Sequence, residues 1–116
     1  INDAHGHSFG DDALSHLAQV AREAMRPQDT LARFGGEEFV ILMPDTCLED
    51  GVQAIVRLQR ALTQRFFVAG NTRLFVTFSA GVAELGKDEA PMDAIQRADR
   101  AMYEAKRTGK NKVVGA

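Results

Sequence analysis

Residues 26–46, RPQDTLARFGGEEFVILMPDT, set a glycine pair and two glutamates inside a run otherwise suited to β-structure. Two glycines between strands are what a tight hairpin needs for positive φ, so Gly35-Gly36 alone signals a turn. Glu37 and Glu38 add chemistry to it. Successive strand residues face opposite sides of a sheet, so the two should not both be ordinary solvent residues if helices cover one face. A carboxylate at a hairpin tip, beside backbone without side chains, is a hard-cation ligand with room for a bulky nucleotide.

A second cluster, INDAHGHSFGDD over residues 1–12, gathers Asn2, Asp3, His5, His7, Asp11 and Asp12 just before a helical pattern. Asp11 or Asp12 is expected to cap that helix. The other carboxylate would then be available to accept two hydrogen bonds, matching the paired N–H donors on guanine's Watson–Crick edge. His5-x-His7 with a nearby Asp also has the spacing of zinc hydrolase ligands. That reading is the weaker one, because Cys47 is the one cysteine and His16 lies inside the helix. A third cluster, AKRTGKNKV, puts Lys106 and Lys110 at the end of the last helix, where the helix dipole favours cations. It is no phosphate-binding P-loop, since residue 104 is Glu and Asn111 replaces Ser or Thr.

The elements that must position these residues follow from periodicity. Leu14, Leu17, Ala18, Ala21, Ala24 and Met25 share one face of a helix over 11–25, which Pro27 ends. Residues 30–34 and 38–43 form a hairpin, and Val52, Ile55, Val56, Leu58 and Leu62 suit a helix over 48–64. Gly70-Asn71 is a turn, residues 74–82 a strand, and 92–107 a helix with Ile95, Ala98, Met102 and Ala105 on one face. Gly109 caps that helix, and 112–114 make a short last strand. The order α β β α β α β predicts an α+β fold, an α/β sandwich with helices on a mainly antiparallel central sheet. Such a sheet gives three amphipathic helices little to cover, so a further strand is expected upstream of Ile1.

Composition bounds the rest. The 116 residues, 45% hydrophobic and without linker or repeat, suit one domain over 1–116. A net charge of −2 with dispersed Lys and Arg offers no footprint for nucleic acid. A single cysteine precludes an internal disulfide framework and fits a cytoplasmic location. No apolar run is long enough to span a bilayer, so no membrane contact by this segment is expected, and the start at Ile1 suggests a longer parent chain.

Together these segments resemble the GGDEF domain of bacterial diguanylate cyclases, with residues 35–39 as the GGEEF form of its signature. IND…GHSFGD, RFGGEEFVILMPDT, VTFSAGVA and RADRAMYEAKRTGKN are similar to the family's pattern in order and spacing over nearly the whole chain. The resemblance implies a nucleotidyl-cyclase-like palm that condenses two GTP into cyclic di-GMP and two pyrophosphates. Glu37 would bind the catalytic Mg²⁺, or Mn²⁺, and help activate the ribose 3′-hydroxyl, with Glu38 as the supporting carboxylate. Gly35 and Gly36 would let GTP approach. Asn2 and Asp11 fall where the family recognises guanine, and Lys106 and Lys110 where it contacts phosphates. Lys110 stands where Arg is common, so its contact would be a point charge. Arg26-x-x-Asp29, five residues before the glycines, falls at the family's inhibitory product site, with Arg57 as an extra arm. Implied partners are a second GGDEF domain in a homodimer and an upstream sensor, which could tether the domain to a membrane.

The family's first strand, with its metal-binding Asp, a phosphate loop and a Lys, lies upstream of the IND segment and is absent from these 116 residues. Catalytic silence is therefore expected of the segment alone. The alternative to a cyclase is a non-catalytic module that binds cyclic di-GMP or GTP.

Overall fold

The computed structural model describes residues 7–116, with side chains from Asp11 onward. They form two compact units. The first takes in the residues up to Pro44 together with Arg60–Val76, and the second Asp45–Gln59 together with Thr77–Ala116.

In the first unit, helix α1 (His7–Ala24) packs on β1 (Thr30–Arg33) and β3 (Phe67–Ala69). Its buried residues Ala13, Leu14, Ala18 and Ala21 recur at helical spacing, joined by Val20. The helix begins at His7, a full turn before the expected start. The N–H groups of Asp11 and Asp12 thus point at carbonyls one turn back, and neither residue can be the N-cap. β1 pairs antiparallel with β2 (Phe39–Leu42), from Thr30 opposite Leu42 to Arg33 opposite Phe39. A second antiparallel hairpin joins β3 to β4 (Thr72–Leu74), and β3 had not been expected. Its turn is Gly70-Asn71, where Gly70 has φ 63° and a two-residue connection needs positive φ at its first position. His16 fastens α1 to this hairpin. Its Nε2 donates to the Arg65 carbonyl at 3.0 Å, and its ring lies 5.3 Å from that of Phe67.

In the second unit, β5 (Ala80–Val82) pairs in parallel with β6 (Val113–Gly115), and α3 (Pro91–Arg107) lies across both. Pro91 opens α3, where its missing N–H costs no helical bond. The helix closes as expected around Gly109, at φ 136°, with Thr108 N–H on the Glu104 carbonyl and Lys110 N–H on that of Ala105. Helix α2 (Leu48–Thr63) gives its residues up to Gln59 to this unit and its last turn to the first. Buried Ile55 and Leu58 are its core contribution here, beside Val82, Ala101 and Ala105.

The α+β class holds, with helices and mainly antiparallel pairs. The single central sheet does not, since among the described residues the strands form three separate pairs. The strand expected over 74–82 is likewise divided into β4 and β5. Residues 75–79 between them carry no ladder bond, and β-propensity without a partner strand does not make a strand. No helix among the described residues is long and apolar enough to cross a membrane.

The connection from β5 to α3 is clamped by charge. Arg97 donates to both carboxylate oxygens of Glu89, at 2.8 and 2.7 Å, and to the Glu84 carbonyl at 2.6 Å, while Glu89 also accepts Gly86 N–H at 2.9 Å. These bonds, chiefly the Arg97 pair, pull the Glu89 pKa from an ordinary 4.5 down to about 2. A depressed carboxylate stabilises the fold above its unfolded pKa and stops doing so as pH falls through the folded value. Stability should therefore decline between pH 4.5 and about 2. Glu89→Gln should flatten that part of an acid-unfolding profile followed by circular dichroism, and an unchanged profile would show that the clamp adds nothing.

Candidate functional site

The β1–β2 ladder stops at Arg33 opposite Phe39, leaving residues 34–38 as the connection. Phe34 N–H donates to the Glu38 carbonyl at 2.8 Å and closes it. Arg33 braces it from outside. Its Nε donates to the Gly35 carbonyl at 3.3 Å and its Nη2 to the Gly36 carbonyl at 2.7 Å. Arg33 also lines a cleft of about 180 Å³ together with Leu14, Ser15, Arg22, Leu31 and Phe39. Sequence reasoning missed this role. Its signal was an Arg two residues before a glycine pair whose carbonyls need donors.

Glu37 and Glu38 are both exposed, and neither carboxylate has a partner among the described residues. The expectation that strand alternation would keep the two from both facing solvent does not hold. Both precede the first paired residue of β2, so strand alternation does not reach them. The two glycines differ in what they require. Gly35, at φ 155°, occupies backbone space that favours glycine. Gly36 has no positive φ, and a Cβ built on it would meet nothing within 4 Å. Nothing among the described residues gives a reason for glycine at position 36. Open space lies beside it, next to two unneutralised carboxylates.

Four basic residues close α3, and they divide into two kinds. Arg107 is engaged with Glu104 at 3.0 Å, and Lys112 donates to the Thr108 carbonyl. The ammonium groups of Lys106 and Lys110 are exposed and without partners among the described residues. These two are the lysines expected to meet phosphates.

Arg26 and Asp29 form a closed unit. Arg26 Nη2 reaches Asp29 Oδ1 at 2.8 Å and the Pro44 carbonyl at 2.9 Å, and Arg26 N–H donates to Asp29 Oδ2 at 3.0 Å. The Asp29 side chain is only 4% exposed, and its bonds to the Arg26 guanidinium hold its pKa below the usual carboxylate range. Bonding to Pro44 is a second feature that sequence did not reveal, since it joins the turn after α1 to the end of the hairpin. Arg57 is exposed on α2 with no partner among the described residues.

Asp11 is exposed in the second turn of α1. Asn2 and His5 lie outside the described residues, as does the side chain of His7. Among the described residues no three His, Cys, Asp or Glu side chains converge as a ready-made metal site.

The profile of the family described as "Diguanylate cyclase, GGDEF domain" matches residues 1–112. The chain is 42% identical over 97% of its length to diguanylate cyclase DgcP of Pseudomonas aeruginosa, and 40% identical over 99% to response regulator PleD of Caulobacter vibrioides. It spans 17% of the former and 26% of the latter. Among solved structures it is similar to diguanylate cyclase SiaD of P. aeruginosa, solved with its activator SiaC, at a TM-score of 0.93 and 36% identity, covering all of this chain and 45% of that one. It is also similar to the GGDEF domain of DgcB from Caulobacter crescentus in complex with c-di-GMP, at a TM-score of 0.90 and 30% identity over 98% of this chain and 68% of that one.

Proposed function

Because this chain belongs to the GGDEF diguanylate cyclase domain family, we propose that it is the cyclase domain of a protein that condenses two GTP into cyclic di-GMP and two pyrophosphates. One observation carries the reading to this chain's own residues. Among the described residues, Glu37 and Glu38 stand unpaired and exposed beside Gly36, a glycine that neither backbone nor packing demands there. An open turn of this kind suits a nucleotide drawn close to bare backbone.

In the reaction the 3′-oxygen of one GTP bonds to the α-phosphorus of the other and expels pyrophosphate, and the reciprocal step closes the ring. Two unneutralised carboxylates fit a hard divalent cation that prefers oxygen, Mg²⁺ or Mn²⁺, better than zinc. When bound, such a cation lowers the pKa of the attacking hydroxyl and offsets charge at the phosphate. Glu37 would hold it, and Glu38 would add negative potential to the same turn. Arg33 holds the Gly35 and Gly36 carbonyls of the same turn. Lys106 and Lys110 would neutralise the phosphates, and Asn2 and Asp11 would accept from guanine. Each domain presents one GTP, so a second copy must face it. A homodimer answers that requirement, and an upstream sensor and a cytoplasmic location are part of the same proposal by likeness to the family.

EDTA should abolish pyrophosphate release from GTP, and Mg²⁺ or Mn²⁺ should restore it, in a coupled phosphate assay on the protein at its full natural length. A rate indifferent to EDTA would refute the metal role of Glu37.

The preformed Arg26–Asp29 unit supports an inhibitory site for the product. A guanidinium presents a planar fork to phosphate and a face to guanine. Arg26→Ala should raise the cyclic di-GMP concentration for half-inhibition about tenfold or more, the usual scale for a lost charged hydrogen bond. Unchanged inhibition would leave Arg26 as a purely structural brace of Asp29 and Pro44.

A further inference from the structure

The turn that carries Lys110 adopts a conformation that its residues do not favour. Lys110 and Asn111 are consecutive non-glycine residues at φ 60° and 49°. The left-handed region crowds Cβ against the next carbonyl, a cost that Asn bears more easily than Lys, and two such residues in succession call for support from their surroundings. Four hydrogen bonds supply it here. Lys110 N–H is bound to the Ala105 carbonyl at the end of α3. Asn111 N–H donates to Ser79 Oγ at 3.2 Å. From α2, Gln59 Nε2 donates to the Asn111 carbonyl at 2.8 Å and to Asn111 Oδ1 at 3.0 Å. A carbonyl can only accept, so the amide face of Gln59 must be its NH₂ end.

These bonds leave the Lys110 side chain untouched. All four end on main chain or on the Asn111 side chain, and the ammonium itself has no partner among the described residues. The competing cation in the same turn, Lys112, is folded back on Thr108. The arrangement fixes where the Lys110 stem leaves the chain and keeps its charge unspent.

We propose that Gln59, with Ser79, is a positioning residue for Lys110. Gln59 holds the α3–β6 turn in its left-handed form so that the ammonium is already placed for the polyphosphate of a bound guanosine triphosphate. This rests on the reading of Lys110 as a phosphate contact. It adds that α2, which also carries Arg57, controls affinity for the nucleotide's phosphates through one side-chain amide.

The test is a binding cycle in the protein at its full natural length, with 3′-deoxy-GTP as probe. Lacking the attacking hydroxyl, the probe cannot condense, so calorimetry reads affinity without turnover. Gln59→Leu removes the donor at similar size and should weaken binding about fivefold, the scale of one lost hydrogen bond. Lys110→Ala should weaken it at least as much. In the Lys110→Ala background, Gln59→Leu should add nothing, since residues acting through one another are not additive. Asn111→Gly in the Gln59→Leu background should recover most of the loss, because glycine takes positive φ without help. Loss of packing on α2 would not be repaired by a glycine at 111. Additive effects, no recovery, or unchanged affinity in Gln59→Leu would overturn the proposal, as would failure of the native protein to bind the probe. If the native protein binds the probe and the cycle behaves as stated while GTP is not turned over, the positioning role stands and the cyclase reading falls.

Discussion

Glu37→Gln is expected to lower formation of cyclic di-GMP by about a hundredfold or more, since even outer-shell changes at metal sites cost ten- to a hundredfold. The substitution keeps volume and shape and removes one charge. Glu37 is exposed in a connection closed by Phe34 and Glu38 backbone atoms and braced by Arg33, and its own carboxylate bonds nothing among the described residues. The fold therefore has no reason to respond. What should disappear is the anionic oxygen that holds a cation, together with the Lewis acidity at the 3′-hydroxyl. Unfolding curves of the variant and native protein should superimpose while the rates of product formation, measured by chromatography, diverge. A variant within a fewfold of the native rate would remove Glu37 from the chemistry.

Gly81→Ala should be the most damaging single change to the second unit. A Cβ there would lie 1.8 Å from the Ala98 carbonyl oxygen and 2.5 Å from the Met102 nitrogen, both backbone atoms of α3. A flexible side chain could swing away, but a helix backbone cannot. α3 would have to lift from β5, uncovering Val82, Ala101 and Ala105. Overpacking of a tight contact costs about 1–3 kcal/mol, and the absence of any yielding atom puts this case at about 3 kcal/mol or beyond. Urea unfolding should show a lower midpoint for Gly81→Ala. A change of less than about 0.5 kcal/mol, the range of ordinary surface substitutions, would mean that α3 does not press on β5.

The same glycine shows what the sequence could and could not reveal. Gly81 was legible as part of VTFSAGVA, a string shared with the family, but the reason for it is a helix passing overhead. Helices and the GGEEF hairpin were readable because their signals are local, namely apolar spacing, Pro27, Gly109 and a glycine pair. β3 escaped because Phe67–Ala69 is three residues long and gains meaning only from its pairing with Thr72–Leu74. Residues 75–79 mislead in the opposite direction, having strand composition without a ladder. At the site, residue types at the turn, at Arg26-x-x-Asp29 and at Lys106 and Lys110 were all visible. Hidden were the braces: Arg33 on two carbonyls, Pro44 under Arg26, and Gln59 on Asn111 from 52 positions away. Of these, only Arg33, two residues before a glycine pair, left a signal in the sequence; the other two join segments far apart in the chain.

The cyclase reading meets its most direct test when the protein at its full natural length is incubated with α-³²P-labelled GTP and Mg²⁺ and the nucleotides are separated by chromatography. The label is predicted to move into cyclic di-GMP, with two pyrophosphates released for each cyclic product. GTP recovered unchanged, from a protein that nonetheless binds added cyclic di-GMP, would contradict the account and leave a receptor built on Arg26 and Asp29.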